Sequence, residues 1–289
     1  MSGAQSEITI GCIQMEPVVG AKQANLASSL ERIEQAAGEG ARLIVLPELA
    51  NSGYVFRDRE EAFALAEEVP AGETTAAWSD AARRHNIYIV AGIAERAGGA
   101  LYNSAVVLGP SGYIGTFRKV HLWAAENLFF EPGDLGFPVF KTPIGRIGVA
   151  ICYDGWFPET FRLQALQGAD IVCVPTNWVP IPGQEAGRPA MANILHQAAA
   201  HSNSLFIACA DRVGTERGQS FEGQSVIVNC TGCVAGPASR DREEIIYGRV
   251  DLADARRKRN WNEFNQVLRD RRTDVYDEML GSQVKRGWY

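Results

Sequence analysis

Short apolar runs alternate with amphipathic stretches along most of this chain. The run ITIGCIQM (8–15) predicts a first strand, and the apolar spacing over Asn25–Ala37, closed by Gly38 and Gly40, predicts a helix. ARLIVLPE (41–48) is a nearly continuous apolar run of the kind buried on both faces of a sheet. A helix over Thr74–His85 and a strand in NIYIVAGIAE (86–95) follow. LYNSAVVLGPSG and YIGTFRKVHL then form an expected hairpin about Pro110-Ser111-Gly112. After the aromatic and acidic loop WAAENLFFEPGD the rhythm returns. FPVFKTPIG and RIGVAICYD read as strands, Pro158–Gln167 as a helix, ADIVCVPTNW as a strand, Ala190–Ser202 as a helix and SLFIACADRVG as a strand. GQSVIVNCTGCVAGPA and EEIIYGRVDL add two more strands, and the charged segment from Ala253 reads as a short helix and an arm. Strands separated by helices predict a layered α/β protein. Helices on one face of each sheet leave the other faces to be buried, which two sheets packed together with helices outside would achieve.

Composition narrows the function. Of 289 residues 46% are hydrophobic and 21% charged, enough for a sizeable core, and a single domain over 1–289 is expected. A net charge of -6 argues against nucleic-acid binding, and the short cluster Arg256–Arg259 reads as a solvated or interface face. No apolar run approaches the roughly 20 residues needed to span a bilayer. The polar N-terminus lacks the pattern of a signal peptide, so a reducing cytoplasm is expected. The six cysteines form no disulfide-dense framework. Cys230 and Cys233 have the spacing of a metal or redox pair but no second pair, and a turn at Gly232 is the expected reading. The histidines His85, His121, His196 and His201 are too dispersed for a metal centre, with His121 read as structural support. No GxGxxG or P-loop follows a strand, so neither metal nor organic cofactor is expected.

Three residues stand at the ends of apolar runs: Glu48 in LIVLPELANSGY, Lys119 in GTFRKVHL and Cys152 in RIGVAICYDGWFPE. Each has an ordinary reading, as a paired carboxylate, a solvated lysine or a buried thiol. Converging at one sheet edge, they would serve acyl transfer, with a nucleophilic sulfur on a strand-to-helix turn, a general base and a cation for the oxyanion. Glu126 and Glu131, in the acidic loop, are both candidates for a further carboxylate beside the lysine. Trp123, Phe129, Phe130, Trp156 and Trp178 suit either an apolar pocket or the core.

LPELANSGY, FRKVHL and ICYDGWFPE, in this order and spacing, resemble the three signature segments of the nitrilase superfamily, the carbon–nitrogen hydrolases. The likeness runs from the first strand to about Asp251. It implies a four-layer αββα sandwich, with Cys152 as nucleophile, Glu48 as base, Lys119 as oxyanion stabiliser, Glu126 as the additional carboxylate and the Tyr153 N–H as an oxyanion donor. Trp156, Trp178, Tyr54, Phe130 and Asn177 are the expected substrate pocket. The Cys152-Tyr153-Asp154 sequence is similar to amide- and carbamoyl-hydrolysing branches, of which the carbamoylputrescine amidases also resemble this chain in GWFPE and ENLFFEPGD. The expectation is a cofactor-independent amidase of small non-peptide carboxamides. N-carbamoyl amine hydrolysis is the alternative and nitrile hydrolysis the less favoured one. A homodimer or larger homo-oligomer is expected, with the arm 253–289 at the subunit interface.

Overall fold

The computed structural model describes residues 7–181, 183–184, 188–235 and 237–280. In chain order the elements are β1 (Glu7–Gln14), α1 (Lys22–Gly38), β2 (Ala41–Val45), α2 (Arg59–Leu65), α3 (Glu73–His85), β3 (Tyr88–Ala97), β4 (Ala100–Gly109) and β5 (Gly112–Arg118). They continue with β6 (Val139–Thr142), β7 (Gly145–Val149), α4 (Pro158–Leu166), β8 (Ile171–Pro175), α5 (Met191–Asn203) and β9 (Phe206–Ala210). The short strands β10 (Thr215–Glu216), β11 (Gln219–Ser220), β12 (Val226–Val228) and β13 (Val234–Ala235) precede β14 (Glu244–Asp251), α6 (Ala253–Arg257) and α7 (Thr273–Leu280).

Two six-stranded sheets carry the fold, ordered β14-β1-β2-β3-β4-β5 and β13-β12-β9-β8-β7-β6. The central pairs β1–β2, β2–β3, β7–β8 and β8–β9 are parallel, and the flanking pairs are antiparallel. Period-2 alternation decides which way each central side chain faces. In β2, Leu43 and Val45 enter the main core that also holds Val172 and Val174 of β8, whereas Ile44 joins the layer under the helices α1 and α3. On the far side Phe161 and Ala165 of α4 and Ala200 of α5 pack into the main core. The result is the expected four-layer αββα sandwich.

Local chemistry ends the elements. Helix α3 has Glu73 in its first turn and Arg83, Arg84 and His85 in its last, matching the helix dipole. It stops at Asn86, which takes the left-handed conformation (φ 54°), and the Ile87 N–H returns to the Ala82 carbonyl. Helix α2 was not anticipated from the apolar pattern. Its signal is polar: Asp58 caps it by accepting the Glu61 N–H at 2.8 Å. The Cys230–Cys233 segment is the expected turn, between β12 and β13, with Gly232 at φ 85°. All six cysteines are free. The basic cluster ties the chain to itself: Arg256 pairs with Asp170 at 2.5 Å, Arg257 with Asp251 at 2.5 Å, and Arg259 donates to the Ala169 carbonyl at 2.7 Å. Residues 281–289 of the arm lie outside the described residues. Among the described residues no helix is long and apolar enough to cross a membrane.

Candidate active site

The ends of the parallel strands place the reactive groups together. Glu48 stands three residues beyond β2 and is fully buried. Its backbone crosses β3 at Gly92, where a Cβ would lie 2.5 Å from the Glu48 Cα, so only glycine admits this approach. Lys119 follows β5 directly, and its N–H continues the ladder to the Asn103 carbonyl at 2.8 Å. Its ammonium donates to Glu48 Oε1 at 2.6 Å and to Glu126 Oε1 at 2.7 Å. Asn103 of β4 donates its side-chain amide to Glu48 Oε1 at 2.7 Å, and the Tyr54 hydroxyl donates to Glu126 Oε1 at 2.6 Å. Between the two acidic-loop candidates the structure brings Glu126 to the lysine. Glu131 is exposed, and its backbone N–H bonds the Leu101 carbonyl.

One buried cation therefore serves two carboxylates, and the arithmetic shows in the acidities. Burial, together with Glu126 nearby, pushes Glu48 up to about 7 against the pull of Lys119. Burial opposes the charge of Lys119, but Glu126 and Glu48 together hold its ammonium above the ordinary value. Glu48 Oε2 has no hydrogen-bond partner and is the one carboxylate oxygen of Glu48 and Glu126 left open. Burial and Glu48 also push the Cys152 thiol well up, so the resting sulfur keeps its proton.

Cys152 opens the 3-10 turn Cys152–Trp156 after β7 and sits at φ 46°, a conformation that costs a non-glycine residue of the order of 1–2 kcal/mol. Asp154 holds that turn. Its fully buried carboxylate accepts the Ile151 N–H at 3.1 Å on Oδ2. On Oδ1 it meets the His121 N–H at 2.9 Å and the His121 Nδ1 at 2.7 Å. His121 lies two residues past Lys119 and stacks on Phe157, centroids 3.6 Å apart. One carboxylate thus ties the Cys152 turn of the second sheet to the lysine strand of the first. His121 is the structural support expected of it, whereas the parts of Asp154, its partner, and of Asn103, the partner of Glu48, were not foreseen in the sequence. The signal in each case was a polar residue within an otherwise apolar stretch.

The pocket residues divide between two spaces. Trp123, Tyr153, Trp156, Asn177, Trp178, Val179 and Ile181 line a narrow cleft with Cys152. Asn177 donates to the Glu48 carbonyl at 3.0 Å, and the Trp178 N–H is held by Asp211 at 2.9 Å. Tyr54 and Phe130 line a neighbouring cavity, with Trp123 and Val179 common to both. Among the described residues no cluster of three or more His, Cys, Asp or Glu is placed to hold a metal ion. A buried sulfur lining a narrow cleft, with an open carboxylate oxygen and an ammonium near enough to act on its acidity, is equipped for nucleophilic attack on a carbonyl-type carbon.

Residues 9–260 match the family model described as carbon-nitrogen hydrolase. The chain is 43% identical over 269 residues to a protein named nitrilase from Pyrococcus abyssi, covering 93% of this chain and 99% of that one. It is 33% identical over 274 residues to N-carbamoylputrescine amidase of Solanum lycopersicum, covering 89% of each. In structure it is similar to a carbon-nitrogen hydrolase from Helicobacter pylori G27, with a TM-score of 0.85 at 29% identity, covering 96% of this chain and 99% of that one.

Proposed function

The chain belongs to the carbon-nitrogen hydrolase family, a cysteine-dependent hydrolase, and from that premise we propose that it is an amidase cleaving small non-peptide carboxamides to carboxylate and ammonia. The observation that carries the reading is the open Oε2 of Glu48, whose other oxygen and both oxygens of Glu126 are engaged, on a carboxyl raised to about 7. A base at about 7 can both take and return a proton at working pH.

In this mechanism Cys152 Sγ attacks the amide carbon as its proton passes to Glu48. A preformed thiolate is not required, in keeping with the raised thiol. Lys119 and the Tyr153 N–H stabilise the oxyanion. Glu48 returns the proton to the nitrogen as the C–N bond breaks, which releases ammonia and leaves a thioester on Cys152. A water then gives a proton to Glu48 and attacks the thioester. The C–S bond breaks, the proton on Glu48 returns to the sulfur, and the carboxylic acid leaves and gives its remaining proton to solvent. Glu126 keeps Lys119 in place and charged throughout, and Trp156, Trp178 and Asn177 shape the cleft.

The names of two relatives support rival substrate classes at the same sulfur: nitriles, through a thioimidate, and N-carbamoyl amines. Ammonia release with product mass spectrometry, across carboxamides, N-carbamoyl amines and nitriles, decides among them. Carboxamide turnover lost in Cys152→Ala supports the amidase; dominant turnover of either other class overturns it.

We further assign the chain to a reducing compartment, in keeping with six free thiols. We also place the segment after Asp251 at a subunit interface, where Trp261 and Phe264 are 56% and 81% exposed. Cutting the chain at Asp251 would also remove the buried Leu252 and Ala255, so Phe264→Ser is the cleaner probe. A reduced mass by light scattering is expected, and an unchanged oligomer would count against the assignment.

A further inference from the structure

The cleft at Cys152 is not the only space beside the reacting groups. A second cavity of about 130 Å³ shares Trp123 and Val179 with it and is lined further by Tyr54, Phe56, Phe129, Phe130, Ala125 and Gln219. Its rings are mutually braced, Phe56 meeting Phe129 and Phe130 edge to face with centroids 6.1 and 5.9 Å apart. Apolar cavities of about 150 Å³ hold a benzene ring, so this space is of the right order for one aryl or branched alkyl group.

Charge fixes the class of that group more sharply than size. Among the described lining residues only Glu126 is of a charged type, and its oxygens are engaged. Oε1 accepts from Lys119 and Tyr54, and Oε2 accepts the Trp123 N–H at 3.3 Å. A substrate carboxylate placed here would meet Glu126 and no free cation. A substrate ammonium would have to compete with Lys119 for an acceptor already shared. Either ion would lose its water without a counter-charge, whereas an apolar arm loses nothing.

We propose that this cavity is the acyl-side subsite and selects amides whose acyl group ends in a neutral apolar arm. The inference rests on the amidase reading, in which the leaving group is only ammonia and the rest of the substrate is acyl chain. Trp123 and Val179, common to both spaces, then form the waist between the reacting carbon and the arm.

The test compares 3-phenylpropanamide, propanamide and the monoamide of glutaric acid, with wild type and with Ala125→Trp, which fills the cavity from its exposed rim. In wild type kcat/KM for the aryl amide should exceed that for the charged amide by at least about 10-fold. Ala125→Trp should lower the ratio of aryl amide to propanamide efficiency by about 10-fold, through KM. Equal or better turnover of the charged amide, or an unchanged ratio in the variant, overturns the subsite. Calorimetric binding of the aryl and charged amides to Cys152→Ala probes the same preference without turnover: tighter aryl binding supports the proposal, and equal or reversed affinity overturns it. If nitriles or N-carbamoyl amines react instead, the amidase reading fails. The preference between aryl and charged arms in that class then decides the subsite by itself.

Discussion

The two sheets share one plan and divide the chemistry unequally. Each has three parallel strands at its centre, one antiparallel strand on one side and two on the other. The first sheet delivers Glu48 and Lys119, fully buried and hydrogen-bonded into a closed charge cluster. The second delivers Cys152 on a turn held at positive φ beside a cleft, with few polar partners of its own. Both sides hold a residue at positive φ, Leu49 beside Glu48 at 51° and Cys152 at 46°, so what divides them is the buried charge order of the first. Asp154 joins them by accepting from Ile151 on one and His121 on the other.

That division is broken most severely at the nucleophile. Cys152→Ala should reduce turnover by about 10⁴-fold or more while changing stability by only about 1 kcal/mol, since no hydrogen-bonded cluster is opened. Steady-state rates and thermal melting on the same preparation check both halves of that statement. A large loss of stability would mean that the second side, too, is held by the sulfur.

The first side should fail differently. Glu48→Gln is expected to cost about 10³-fold in kcat/KM. In wild type kcat/KM should fall on the acid side of about pH 7, where Glu48 takes up its proton, and this limb should vanish in the variant's residual activity. The stability sign is opposite to that of a paired surface acid. The folded protein holds this proton between the ordinary value of 4.5 and about 7, while the unfolded chain releases it, so the group favours unfolding as pH rises through that window. A pH–rate profile and denaturant titrations across it measure the two effects separately.

Lys119→Met should combine both penalties, with activity down by about 10²–10³-fold and stability down by about 3–5 kcal/mol as two buried carboxyls lose their cation. The acid limb should also move upward, because the pull that restrains Glu48 is gone. Unfolding curves that match wild type would show that the cluster is not closed in the way described.

The smallest effect belongs to the tie between the sheets. Asp154→Asn keeps an acceptor for one set of contacts and loses the other, so kcat should fall by about 10-fold with KM little changed and a stability loss of about 1–3 kcal/mol. Equal changes in kcat and KM would place its role in substrate binding instead of in holding the turn.

Much of this was legible in the chain. Apolar runs of five to eight residues marked the central strands because a strand buried on both faces must be apolar throughout. Glu48, Lys119 and Cys152 stood out as reactive groups at the ends of those runs. Helix α2 escaped because its signal was a cap, Asp58 to Glu61, and not a periodicity. Asn103 and Asp154 escaped because a polar residue gains meaning only from what lies opposite it. Loop composition left Glu126 and Glu131 equivalent, the family resemblance pointed to Glu126, and the 2.7 Å contact to Lys119 supplies the geometric reason.

The sequence by itself determined which segments form the central strands and which residues are able to react, since periodicity and side-chain chemistry are local properties, and the family resemblance implied the layers. Only the tertiary structure decided that one lysine must serve two carboxylates, that one oxygen of Glu48 stays open, and that a second apolar cavity adjoins the cleft. Those facts depend on distances between residues far apart in the chain, 71 positions for Glu48 and Lys119 and more for Tyr54 and Gln219 around the cavity, and no local pattern encodes such a distance.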